Sequence, residues 1–133
     1  MRRRRAYKPV SWEKAEDVKK ELTNLVKSVD LNWIDLDKVY CVRSTYSTAR
    51  AYARIWGMGR IWQETLGIPA SYCIEVISEK FDPLPKHKQV EVLFHELAHI
   101  PKNFSGALLP HTRHHKGSFH DKLRSFLAAY KQK

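Results

Sequence analysis

Residues 95–99 read His-Glu-Leu-Ala-His, the pattern H-E-x-x-H. Residues four apart on a helix project from one face about 6 Å apart, so the imidazoles of His95 and His99 can reach one metal ion. Zinc suits such a pair, and it brings the pKa of a coordinated water down to about 7. Glu96 follows the first ligand and projects beside the metal, where it is placed to act as general base, taking a proton from water and passing it to a leaving amine. A helix that merely displays two surface histidines around a glutamate is the competing reading. Histidine is a scarce residue type, so such a pair is uncommon by chance, and the motif lies in an apolar helical pattern that follows a strand and ends at Pro101, which favours the metal site. A catalytic zinc has three protein ligands and an open position. The stretch LLPHTRHHKGSFH offers His111, His114, His115 and His120 for the third ligand. Those left over would face solvent or substrate, and His114, His115 or His120 could serve as oxyanion partner.

Several elements must hold these side chains. Pro83 or Pro85 is suited to the first turn of a helix that runs through VEVLFHELAH, burying Val90, Leu93, Phe94 and Leu97. Pro101 ends it within a residue or two of His99. SFHDKLRSFLAAY repeats Phe119, Leu123, Phe126, Leu127 and Tyr130 at helical spacing, which predicts a final helix packed on the first. Upstream, SWEKAEDVKKELTNLVKS (11–28) reads as an amphipathic helix capped by Ser11. VYCVRS (39–44), the alternating Thr48–Met58 and SYCIEVIS (71–78) read as strands. RIWQETLG reads as a further strand, joined to Thr48–Met58 through a Met58-Gly59 turn.

Charge is the second signal. Lys+Arg outnumber Asp+Glu by 24 to 14, a net charge of +10. Arg2, Arg3, Arg4 and Arg5 with Lys8 form one block, and Arg43, Arg50, Arg54 and Arg60 another. Such a distribution suits a polyanion, nucleic acid above all, and equally describes a solvated basic surface. On one face of the Thr48–Met58 strand, Arg50, Tyr52, Arg54 and Trp56 could stack bases. The other tryptophans, Trp12, Trp33 and Trp62, are expected in the core or half-buried. Cys41 and Cys73 are too few for a disulfide framework and are expected as buried free thiols, with a single bridge between neighbouring strands as the alternative. No run approaches the ~18 apolar residues of a membrane span. The basic start is not followed by the apolar region of a signal peptide, so the expected setting is intracellular, with no membrane partner. Residues 1–10 read as a basic N-terminal tail and 11–133 as one domain.

FHELAHIP followed by FSGALLPH and a helix resembles the SprT-like and related minimal gluzincin-type zinc metallopeptidases, above all the small archaeal and phage ones, over roughly residues 70 to 130. The resemblance implies an α+β, minimal zincin-like fold. It would have an N-terminal helix, a three- to four-stranded, mostly antiparallel sheet, the H-E-x-x-H helix and a C-terminal helix. It implies zinc on His95, His99 and His111 with Glu96 catalytic. His115 is the alternative third ligand, because Phe119 follows it at the offset where the family carries an aromatic residue. It further implies that SYCIEVIS is the sheet edge lining the cleft, able to take up an extended peptide as an added strand. Substrates would be proteins, including ones bound to DNA. Two other functions are compatible with the residues: a basic nucleic-acid-binding module with a structural or inactive zinc site, and a metal-dependent hydrolase of a non-peptide substrate.

Overall fold

The computed structural model describes residues 8–111 and 119–132. Four strands and five helices follow in the order β1 (Ser11–Lys14), α1 (Glu16–Ser28), β2 (Val39–Thr45), β3 (Ala53–Gly57), α2 (Arg60–Leu66), β4 (Tyr72–Ile77), α3 (Ser78–Phe81), α4 (Lys86–Ala98) and α5 (Phe119–Lys131). The sheet order is β1-β2-β4-β3. β1–β2 and β3–β4 are antiparallel, and β2–β4 is parallel. The α+β class and the mostly antiparallel sheet are as the sequence implies.

Alternation along β4 decides where the core lies. Tyr72, Ile74 and Val76 are buried on one face. They join Leu22 and Leu25 of α1, Leu93, Phe94 and Leu97 of α4, and Phe119 and Phe126 of α5 in a continuous apolar cluster. Phe94 meets the rings of Phe126 and Tyr130 at 6.0 and 5.5 Å, which fixes α5 against α4 as the helical periodicities predict. Lys122 of α5, buried and lying over the Trp33 ring, donates its ammonium to the Ile100 carbonyl just past the end of α4. A cation at a helix C-terminus opposes the partial negative charge there. Arg43 of β2 bonds Asp17 of α1 and Asp82 before α4, and the guanidinium holds the Asp17 carboxyl below its usual range.

Four expectations are corrected. Residues 11–14 form a strand, so Ser11 is not the cap of α1. Backbone pairing to β2 claims them, and Ala15 continues the ladder by donating to the Cys41 carbonyl at 3.0 Å. The strand of residues 48–58 shrinks to Ala53–Gly57, where β4 supplies a partner. RIWQETLG is helical rather than extended: β3 already occupies that side of β4, so residues 60–66 satisfy their backbone groups internally. Gly67 then stops the helix with φ of +66°, a left-handed cap that glycine adopts without steric cost. Finally, β4 is central and not an edge, so β3 and β1 are the exposed edges.

Of the tryptophans expected in the core or half-buried, Trp12 and Trp62 depart from that expectation and Trp33 meets it. Trp33 is half-buried, whereas Trp12, Trp56 and Trp62 are 59%, 52% and 59% exposed. Among the described residues no helix is long and apolar enough to cross a membrane.

Cys41 and Cys73 are both free thiols. Burial pushes Cys41 up to about 12, which at pH 8 leaves almost none of the thiolate that reacts with thiol reagents. Cys41 should therefore be modified at pH 8 only as fast as the protein unfolds, and at full speed in denaturant, as followed by mass spectrometry. Labelling of Cys41 at the rate of a free thiol under native conditions would contradict this packing.

Candidate metal centre

α4 is the scaffold of the centre. It begins after Pro85, whose fixed backbone angle suits a helix start, and His99 closes its last turn with its N–H donating to the Glu96 carbonyl. Pro101 prevents continuation. The chain then loops through residues 102–110 and returns His111 to the same end of the helix.

One peptide unit fixes that return. The Leu109 N–H donates to the His99 carbonyl at 2.7 Å, and Nδ1 of His99 lies 2.6 Å from the Leu109 carbonyl. A carbonyl only accepts, so His99 Nδ1 carries the proton and its Nε2 keeps a free lone pair. The loop is clamped elsewhere too. The Tyr72 hydroxyl accepts from Gly106 N–H and donates to the Ala107 carbonyl, both at 2.8 Å. Gln63 of α2 donates to the Met58 and Ser105 carbonyls at 2.8 Å. Gly106 has φ of +93°, and a side chain there would meet the Met58 carbonyl oxygen at 2.2 Å. α2, unexpected from the sequence, thus helps position the segment that carries His111.

His95, His99 and His111 come together: one ligand nitrogen from each lies within 4.8 Å of the other two. Nε2 of His95 and Nε2 of His111 are 3.1 Å apart. Tetrahedral zinc with bonds of 2.0–2.1 Å sets its ligand nitrogens about 3.3 Å apart, close to the spacing of the His95–His111 pair. Phe119 forms an apolar floor, stacked on His99 at 4.4 Å and edge-on to His95 and His111 at 4.7 Å each. His99 is buried, His95 half-buried and His111 exposed, which leaves the open side of the cluster toward solvent. Burial, then the neighbouring His99, His111 and His120, pushes His95 down to about 4, and burial lowers His99 as well. Neutral imidazole is the form that binds a metal.

Glu96 lies almost out of solvent and lines, with His95, a groove of about 420 Å³. Burial raises its carboxyl to about 8. A cation beside it would favour the ionised form. Arg50, Tyr52, Val92, Leu123 and Leu127 complete the groove. Arg50 and Tyr52 therefore stand beside the histidine cluster, while Arg54 and Trp56 lie on the opposite face of the sheet with Glu75. His120 packs edge-on to Phe119 at 5.3 Å and is not among the three clustered donors. His114 and the alternative ligand His115 lie outside the described residues, as do Arg2, Arg3, Arg4 and Arg5. The Leu109 carbonyl, a backbone atom, leaves no mark in residue types. Phe119 was legible as a helix-face residue but not as the floor beneath three imidazoles.

The model of a protein family described as "Putative phage metallopeptidase" matches residues 10–126, nearly the whole chain. No curated protein and no solved structure gives a significant match.

If the loop clamp positions His111, Gly106→Ala should weaken zinc binding by about ten-fold, as loss of an orienting contact does, in competition against a chelator. His111→Ala should lose stoichiometric zinc while His115→Ala keeps it. Zinc retained in the first and lost in the second would transfer the third ligand to His115.

Proposed function

The chain belongs to this phage metallopeptidase family, and from that premise we propose that it is a zinc-dependent peptidase with His95, His99 and His111 as metal ligands and Glu96 as general base. The observation that carries this reading is the joint placement of three imidazole nitrogens, a nearly buried carboxylate and a groove at one end of α4. Three imidazoles with an open side are the donor set of a catalytic zinc site.

Zinc bound there supplies Lewis acidity, which makes water acidic near neutral pH and polarises a carbonyl. The chain's own groups do the rest. His99 is locked by Leu109 in the tautomer that presents Nε2, and Phe119 fixes the three ring planes. Glu96 accepts a proton from the attacking water and delivers it to the nitrogen of the breaking amide, so the amine leaves uncharged. The free edge of β3, with residues 50–52 leading into it, borders the groove, and an extended peptide can add there through main-chain hydrogen bonds. Val92, Leu123 and Leu127 offer an apolar wall to one of its side chains. The resemblance to SprT-like proteins and the net charge of +10 favour protein substrates held on DNA.

Glu96→Gln removes the base and keeps the volume. Hydrolysis of an unfolded protein substrate should fall by about a thousand-fold with zinc content unchanged. Hydrolysis at the wild-type rate would leave the chain as a basic binding module whose metal is structural.

A further inference from the structure

The sheet face turned away from α1 and α4 carries a construction that the peptidase reading does not use. Glu75 stands on the central strand β4 with its side chain fully buried, and four donors converge on its carboxylate. Arg54 Nε reaches Oε1 at 2.7 Å, Arg54 Nη2 lies 3.4 Å from Oε2, Trp56 Nε1 reaches Oε1 at 2.9 Å and Trp12 Nε1 reaches Oε2 at 3.3 Å. Burial works against the charge, but these hydrogen bonds prevail and hold the carboxyl below its usual range. Arg54 also lies over the Trp56 ring at 5.0 Å.

Two consequences follow from this arrangement. The indole N–H groups of Trp12 and Trp56 are spent on Glu75, so what each tryptophan offers solvent is ring surface in a fixed orientation. Arg54 is likewise spent on Glu75 and positions the rings rather than meeting an external anion. Next to Trp56, Tyr40 and Trp62 continue the aromatic surface, and the three line an open groove of about 650 Å³. Tyr40 is 55% exposed, comparable to the tryptophans. Leaving this much aromatic surface in water is unfavourable unless a partner covers it.

The surrounding charge selects the partner. Lys14 stands in the same cross-strand row as Glu75, and Lys38 lines the groove. Neither lysine has a salt-bridge partner among the described residues, whereas Glu75 and Glu64 are engaged by Arg54 and Arg60. The run Arg2–Arg5 ends only six residues before Ser11, where edge strand β1 begins. Rigid aromatic rings between uncompensated cations match a ligand made of flat apolar rings on an anionic backbone. We propose that this sheet face binds single-stranded nucleic acid, with bases stacked on Trp12, Tyr40 and Trp56 and phosphates drawn to Lys14 and Lys38. The inference stands apart from the metal centre, so Glu96→Gln should leave it unchanged.

A labelled thymidine single strand about 12 nucleotides long, titrated into the full chain, tests it. Binding should quench tryptophan fluorescence and weaken as salt rises, and a duplex of the same sequence should bind less tightly. Tyr40→Ala and Trp56→Ala should each reduce affinity by about ten-fold. Tyr40 makes no bond to Glu75, so its variant remains informative if removal of Trp56 compromises folding. Replacing Arg2–Arg5 by alanine should lower affinity yet preserve the quench at saturation. Unchanged affinity in Tyr40→Ala together with unquenched fluorescence in the saturated wild type would overturn the proposal, as would the absence of binding. A dimer that Trp56→Ala dissociates would assign the face to a second copy of the chain and overturn it equally.

Discussion

The bond between the His99 imidazole and the peptide of Leu109 is the constraint on which the rest of the centre depends. It is made twice, once through the ring and once through the backbone, and it joins the end of α4 to a loop that has little regular structure of its own. Without it, the helix would present two histidines and the loop a third, with nothing to bring the sets into register. With it, the residue after Pro110 is delivered to the exposed side of the pair, and the tautomer of His99 is fixed with Nε2 unprotonated. Tyr72, Gln63 and the left-handed Gly106 hold the far side of the same loop. A sheet strand and a short helix are thereby committed to placing one imidazole.

The sheet separates two kinds of surface. Its inner face is apolar and packs on α1 and α4, with His95, His99 and His111 clustered at the C-terminal end of α4. Its outer face is organised around a buried carboxylate, whose cost is offset by an arginine and two indoles. Placing β4 in the middle makes both possible: alternate residues of one strand feed the apolar core and hold Glu75. The central position of β4 also leaves β3 as the edge bordering the groove, so the strand available to an extended substrate is not the one that the family resemblance implied.

Local signals were legible in the sequence, and pairwise ones were not. The spacing of His95 and His99, the apolar face of α4, the stop at Pro101 and the periodicity of α5 are all properties of consecutive residues, and the structure carries each of them. Residues 11–14 and 60–66 read wrongly because their state depends on which strand edge is vacant. Ser11 looks like a helix cap until β2 pairs with it, and RIWQETLG looks like the second strand of a hairpin until β4 takes the place beside β3. Trp12 misled for a related reason: the expectation of burial assumes that its N–H seeks the core, whereas the buried carboxylate of Glu75 accepts it from the outer face of the sheet. His111 was one of four histidines in a short stretch, and only the fold of the loop sets it beside His95 and His99.

On the proposed function, one ion is held by these three imidazoles. A crystal structure of the zinc-loaded protein, with the metal located by its anomalous scattering, measures this directly. A single zinc is expected about 2.0–2.1 Å from one nitrogen each of His95, His99 and His111, with a fourth position open to the groove beside Glu96. A zinc bound without His111, or one whose fourth position is closed by another protein side chain, would contradict it.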